Sequence, residues 1–266
     1  MASPRLPILE DKHPQQPSLF QPANLLREAR RQRGLPDAAI PAVCLLDPDG
    51  DIVRYLRRVG LGQPATAWAC YHTQMWKVAW RGRELGIVAC AVGAPFAVLV
   101  AEQVFASGGQ LLLSITSAGQ LAPGLELPCF VRIERALRDE GTSYHYLPPE
   151  PFAGPLPAVA AAMATLDGRE GLQVRAGAVW TTDAPYRETE AAVAARRAEG
   201  LVAVEMEAAA LYAFSQARQY PVACFAHVTN AMAQTAGDFE KGEADGALAA
   251  LDLAAAAAAA WYSQNP

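Results

Sequence analysis

The chain is poor in the features that mark several broad classes of protein. No uninterrupted apolar segment in its 266 residues approaches the ~20 needed for a membrane-spanning helix. The alanine run before Trp261 comes nearest, and weakly apolar alanine fits a surface helix better. The opening MASPRLPILEDKHPQQP has no apolar core behind its arginine, so no secretory leader is expected. Basic residues are dispersed apart from short clusters such as Arg27, Arg30, Arg31 and Arg33. With a net charge of −5 and a pI near 5.4, that balance argues against a nucleic-acid partner. The five cysteines are odd in number, widely spaced and mostly set in apolar runs, which points to reduced core thiols in the cytoplasm. The four histidines lack metal-site spacing, so no metal is expected, and no G-x-S-x-G elbow is present. There is no internal repeat.

What is present is apolar sequence in alternating blocks. At 52% apolar composition, 266 residues suffice for one large core. Residues 1–36 read as a proline- and glutamine-rich arm followed by a short amphipathic helix, ANLLREARRQR, stopped by Gly34 and Pro36. Residues 37–266 read as one domain. Strands are expected at AVCLL (42–46), WKVAW (76–80), ELGIVACAVG (84–93), QLLLSIT (110–116), PCFVRIERAL (128–137), LQVRAGAVWTT (172–182), LVAVEME (201–207) and PVACFAHVTN (221–230). Helices fall between them, with a long one expected from about 239 to 263. Such alternation predicts an α/β sandwich with a parallel or mixed central sheet, whose ligands gather at the carboxyl ends of the strands.

Those strand ends are unusual. They run into DPDGD, VGAP, TSAGQ, TTDAPYRE, EME and TNAM, and the Gly93 and Ser117-Ala118-Gly119 segments read as turns with uncovered amides suited to an oxyanion or a sugar. At Glu205-Met206-Glu207 two carboxylates flank a methionine where a buried strand meets an alanine-rich helix. Either both cap the helix, whose dipole favours negative charge, or they hold ligand hydroxyls. RDEGTSYHYLPPEP (138–151) concentrates polar groups and tyrosines in one loop, readable as a solvated loop or as a cover for a planar ligand.

Taken together, VGAP, TSAG, RDEGTSYHY, TTDAPYRET and VEMEAAALYA, in this order within residues 40–260, resemble the nucleoside phosphorylase superfamily, nearest its uridine phosphorylase-like branch. The resemblance implies a three-layer α/β/α sandwich with a mixed central sheet, and a nucleoside as substrate. It also implies a cytoplasmic homo-oligomer, trimer or hexamer, with no cofactor beyond inorganic phosphate as co-substrate. On that resemblance Glu207 is catalytic and, with Glu205 and Met206, binds ribose. Tyr186, Arg187, Glu188 and Asn230 face the base, and Gly93, Ser114, Ser117, Arg54 and His72 stand at the phosphate or nucleophile end.

The departures lie mostly at that last end. Where family members carry phosphate-clamping arginines, this chain has Gly50 and Ser114, with Tyr71 and His72 near the third position. Phosphate binding rests on charge-assisted bonds, so their loss weakens it. Asn230 also stands near where purine-specific members place an acid, and an amide delivers no proton. Phosphorolysis of a nucleoside is the leading expectation. Hydrolysis at the same sugar site is the alternative, and a non-catalytic nucleoside binder is the third.

Overall fold

The structure is a computed structural model in which residues 6–232 and 238–265 are described. The strands are β1 (Val43–Asp47), β2 (Gln63–Pro64), β3 (Met75–Trp80), β4 (Arg83–Ala89), β5 (Leu111–Gln120), β6 (Cys129–Asp139), β7 (Phe152–Ala153), β8 (Val174–Thr182), β9 (Ala203–Glu205) and β10 (Val222–Asn230). The helices are α1 (Pro22–Arg33), α2 (Asp51–Arg58), α3 (Ala94–Ala106), α4 (Pro157–Ala164), α5 (Glu190–Ala198), α6 (Ala208–Arg218) and α7 (Ala247–Gln264).

The sheet is mixed, as the sequence predicts. β1 pairs in parallel with β4 and β5, β5 with β10, and β8 with β6 and β9, whereas β3–β4, β5–β9 and β6–β10 are antiparallel. Because β10 pairs with both β5 and β6, the path β5-β9-β8-β6-β10 returns to β5 and closes on itself, while β1, β4, β3 and β2 extend outward. Closure brings the carboxyl ends of β5, β8, β9 and β10 around one opening.

Helices cover both faces. One core layer packs α3 and α6 on the sheet through Val98, Val104, Leu211 and Phe214; the other packs α2, α4 and α7 through Leu56, Met163, Leu251 and Leu253. The alanine-rich α7 belongs to this second layer, with Ala250, Ala254, Ala257 and Ala258 buried, and is not the surface helix its composition suggests. It is the one segment among the described residues long and apolar enough to cross a membrane, yet more than half of its apolar window is buried inside the protein.

Two further expectations are corrected. Ser117-Ala118-Gly119 is not a turn: β5 continues to Gln120 because β9 and β10 run beside it and supply partners, Gly119 pairing with Val204 and Ser117 with His227. The C-terminal helix begins at Ala247, not near 239, because Gly242, Ala244, Asp245 and Gly246 all have positive φ and break the helix upstream. RDEGTSYHY is largely satisfied by its own bonds. Arg138 donates to Ser143 Oγ and to the carbonyls of Leu147 and Pro148, and Glu140 accepts from the Thr142 and Ser143 amides. Of the arm, residues 1–5 lie outside the described residues. Farther on, Lys12, His13 and Phe20 help enclose a cavity of about 600 Å³ against α3 and α6.

Candidate active site

At the opening ringed by β5, β8, β9 and β10 lies a cavity of about 990 Å³, lined by Ser117, Gly119, Tyr186, Glu188, Arg197, Glu205, Met206, Asn230, Met232 and Phe239 among others. Five of the residues proposed from sequence therefore share one wall: Ser117, Glu188, Glu205, Met206 and Asn230. Tyr186 is the sixth, with its ring almost fully exposed at the mouth.

The paired glutamates divide the work. Glu205 ends β9, and its carboxylate accepts from the amides of Glu207 and Ala208, both at 2.7 Å, and from the Thr181 hydroxyl. Thr181 in turn accepts from the Ala209 amide at 3.0 Å. The first-turn amides of α6, which have no carbonyl partner inside the helix, are thus met by Glu205 and the threonine it holds. Glu205 acts as the helix cap of the first reading, and its oxygens are already engaged.

Glu207 is different. It is the N-cap residue of α6, is 1% exposed and does not itself line the cavity, although its chain neighbours Glu205 and Met206 do. Oε1 accepts from the Gly93 amide at 2.7 Å, while Oε2 is buried with no hydrogen-bond partner among the described residues. Gly93 is itself the N-cap of α3, at φ +87, and a Cβ there would meet nothing within 4 Å. The carboxyl therefore sits between two helix N-termini, beside open space at Gly93. Burial first, then the Glu205 charge, pushes Glu207 up to about 8, against the pull of the Gly93 amide and of the nearby Thr116 hydroxyl, which makes no hydrogen bond of ordinary geometry to it. Glu205 is also raised by burial, and its three donors oppose that shift. An unpartnered buried acceptor is costly alone and is suited to a ligand hydroxyl.

Beside Ser117 the site is bounded by the loop after β1. Asp47 accepts from the Gly50 and Val53 amides, which starts α2, and burial raises it to about 7. Asp49 Oδ2 accepts both from the Ser117 amide at 2.9 Å and from the Ser117 hydroxyl at 2.6 Å. Lys241 Nζ lies 3.7 Å from Asp49 Oδ1 and donates to Asp51. Neither Asp49 nor Lys241 was singled out from sequence. The partners are far apart in the chain, and Gly242 and Gly246, which bracket Glu243-Ala244-Asp245 just after Lys241 and mark a bend there, were the available signal. His227, stacked on Phe130 at 4.5 Å, is pushed down to about 4 by burial, with Lys241 adding to the effect, and is neutral there.

Several expected participants stand elsewhere among the described residues. Ser114 is buried within β5, six positions before the strand's end at Gln120, with its hydroxyl unpartnered among the described residues. Arg54 has a side chain 62% exposed and is paired with Asp51. His72 and Arg187 are exposed, and none of these four lines the cavity. Gly50, at the position of a family arginine, has φ +78, and a Cβ there would approach Arg54 Nη1 and Cys90 Sγ to 2.9 Å. A side chain does not fit at that point without rearrangement. Asn230 Oδ1 accepts from the Met232 amide, and its Nδ2 donates to Thr229. Glu188, half-buried at the base end, is raised to about 7 by desolvation. No group of three or more histidine, cysteine or acidic side chains suited to a metal occurs among the described residues.

A sheet closed on itself, with a carboxyl held between two helix N-termini at its strand ends, defines an α/β protein with a polar cavity at the carboxyl ends of its strands. Residues 61–261 match the family model of the phosphorylase superfamily, and the chain belongs to that family. The matched segment starts beyond the acidic β1 loop. A uridine phosphorylase from Thermococcus kodakarensis is 29% identical over 112 residues, covering 40% of this chain and 39% of the relative. A guanosine phosphorylase from Halorubrum lacusprofundi is 26% identical over 136 residues, covering 51% of this chain and 56% of the relative. The chain thus spans only about two fifths to just over half the length of these curated relatives. Among solved structures, uridine phosphorylase from Vibrio fischeri complexed with 6-hydroxy-1-naphthoic acid superposes with a TM-score of 0.66 at 18% identity, covering 84% of this chain and 90% of that one. Purine nucleoside phosphorylase from Toxoplasma gondii in complex with immucillin-H gives 0.68 at 16% identity, covering 84% and 92%. At these identities the structural likeness concerns the fold, which is that of the nucleoside phosphorylases.

Proposed function

We propose that this protein cleaves the N-glycosidic bond of a nucleoside, and that water is the acceptor its own residues favour. The observation that carries cleavage is the Glu207 carboxyl, with one oxygen fixed by Gly93 and the other left for a sugar hydroxyl. As the bond from C1′ to the base breaks, its electron pair leaves with the base and positive charge grows on the sugar. A nearby carboxyl held in place in advance stabilises that charge without reorganising, and most strongly in the ionised form that prevails above about pH 8. Met206 offers an apolar surface to the sugar, and Glu188 and Asn230 offer polar groups to the base.

Hydrolysis is favoured by Asp49, because Ser117 spends its amide and hydroxyl on a carboxylate. In hydrolysis the water oxygen bonds to C1′ and the sugar is released free. Its proton passes to a carboxylate or to solvent. Phosphorolysis is the second reading, supported by the family match and by relatives named uridine and guanosine phosphorylase. A cytoplasmic homo-oligomer in which a neighbour covers the open side of Gly93 fits either reading.

The test is base release from uridine, inosine, adenosine and methylthioadenosine, each with and without phosphate, followed by identification of the sugar product. Phosphate-independent release of free sugar, reduced about 10²- to 10³-fold in Glu207→Ala, is the expected result. Release that requires phosphate and yields a sugar 1-phosphate would establish the second reading. No release from any nucleoside would leave a binding protein.

A further inference from the structure

The contacts of Asp49 have a pattern usually made by a bound oxyanion. One oxygen takes a backbone amide and a hydroxyl from the same residue, Ser117, and the other faces the Lys241 ammonium. Amide, hydroxyl and cation converging on one anionic group are the ordinary elements of a phosphate site. Ser117 lines the large cavity, and Asp49 shares with it a second, small cavity of about 20 Å³, which the large cavity meets at Ser117. Lys241, with a side chain 14% exposed, comes from the bend ahead of α7 and is the least exposed cation paired with this loop.

We infer that Asp49 is a built-in anion that occupies the oxyanion subsite formed by Ser117 and Lys241, and so sets the acceptor of the reaction by excluding phosphate. The inference rests on the glycosidic-cleavage reading for its meaning, but the subsite itself does not. Two negative groups within one hydrogen-bonding shell repel strongly in a partly buried place, so phosphate binds there only when the carboxylate leaves. Removing the carboxylate frees an amide, a hydroxyl and one side of an ammonium. Lys241 keeps its bond to Asp51 and therefore stays in position.

The experiment is a titration of the whole protein with inorganic phosphate, followed by ³¹P NMR line broadening and calorimetry with no nucleoside present. Wild type, Asp49→Ala, Asp49→Asn and the double variant Asp49→Ala/Lys241→Gln are compared, each checked for a cooperative thermal transition. Wild type is expected to bind no phosphate below tens of millimolar, and Asp49→Ala at least tenfold more tightly. The double variant should lose that gain. Asp49→Asn, which keeps the size and an acceptor for Ser117, is the measurement of record if the alanine variant does not fold, and it should tighten binding in the same direction. Tight binding by wild type, or no tightening in either Asp49 variant, would overturn the inference; so would tightening that survives loss of Lys241. Because no nucleoside is present, failure here is separate from failure of the cleavage reading. Where wild type does cleave a nucleoside, adding phosphate to an Asp49 variant should divert product to sugar 1-phosphate.

Discussion

On the sugar side of the cavity, the polar groups are tied to backbone: Glu205 to two α6 amides, Glu207 to the Gly93 amide, Thr181 to the Ala209 amide. Around the proposed nucleophile site, Asp49 accepts the amide and hydroxyl of Ser117, 68 residues away, and Lys241 from the bend ahead of α7 reaches the Asp49 and Asp51 carboxylates. The first region is written into the fold, since helix α6 cannot begin as it does without an acceptor at Glu205. The second can change by a few substitutions without disturbing the sheet. A shared scaffold can therefore keep one sugar site while exchanging the acceptor it uses. That division of labour predicts different outcomes when each region is disturbed.

The largest expected effect tests the division within the sugar side itself. Glu205→Ala leaves two buried amides and the Thr181 hydroxyl without their acceptor, at about 1–3 kcal/mol for each unpaired group. The melting temperature should fall by roughly 10 °C or more. Glu207→Ala strands only the Gly93 amide and relieves a buried carboxyl already held far above its usual range, so its melting temperature should move much less. Equal losses in thermal denaturation would mean that cap and ligand group are not separate roles.

How legible each region was follows from the same contrast. Glu205, Met206 and Glu207 are consecutive and lie at a strand-to-helix junction, so the capping bonds of Glu205 can be read from local pattern, whereas the Glu207 bond to Gly93 spans 114 residues and cannot. The mixed sheet and its two helical layers follow from apolar periodicity, which is likewise local. The Asp49 bond to Ser117 spans 68 residues, and no local pattern encodes a pairing of that kind. Ser114 was misplaced for a related reason: the extent of β5 is set by β9 and β10, whose pairing is not visible within the strand. The start of α7 was obscured by acidic residues that suit a helix N-terminus but here sit at positive φ.

A second, intermediate effect concerns charge. Glu207 has an ordinary value of 4.5 and about 8 in the folded protein, so the native state retains a proton that the unfolded chain gives up. The stability this group leaves intact below pH 4.5 is therefore lost as pH rises from there through about 8, and is flat beyond. Glu207→Gln removes that dependence while keeping an acceptor for Gly93. The melting temperature of the variant relative to wild type should climb across this window, by the equivalent of a few kcal/mol in all. A difference that stays level between pH 5 and 8 would show that Glu207 is ionised in the native protein throughout, and that the two helix N-termini outweigh burial.

The smallest effect lies at the base end, which neither region controls. Glu188 is half-buried and raised to about 7 by desolvation, so it is a hydrogen-bond donor below neutrality and an acceptor above. A base that presents N–H groups to this side is held better by the carboxylate, and KM should fall as pH rises through 7. Glu188→Gln supplies both a donor and an acceptor at every pH, so its KM should vary little over the same range and differ from wild type by about tenfold or less, with kcat nearly unchanged. If the wild-type pH profile of KM survives the substitution, the titrating group belongs to the substrate or to the glutamate pair, and Glu188 does not read the base.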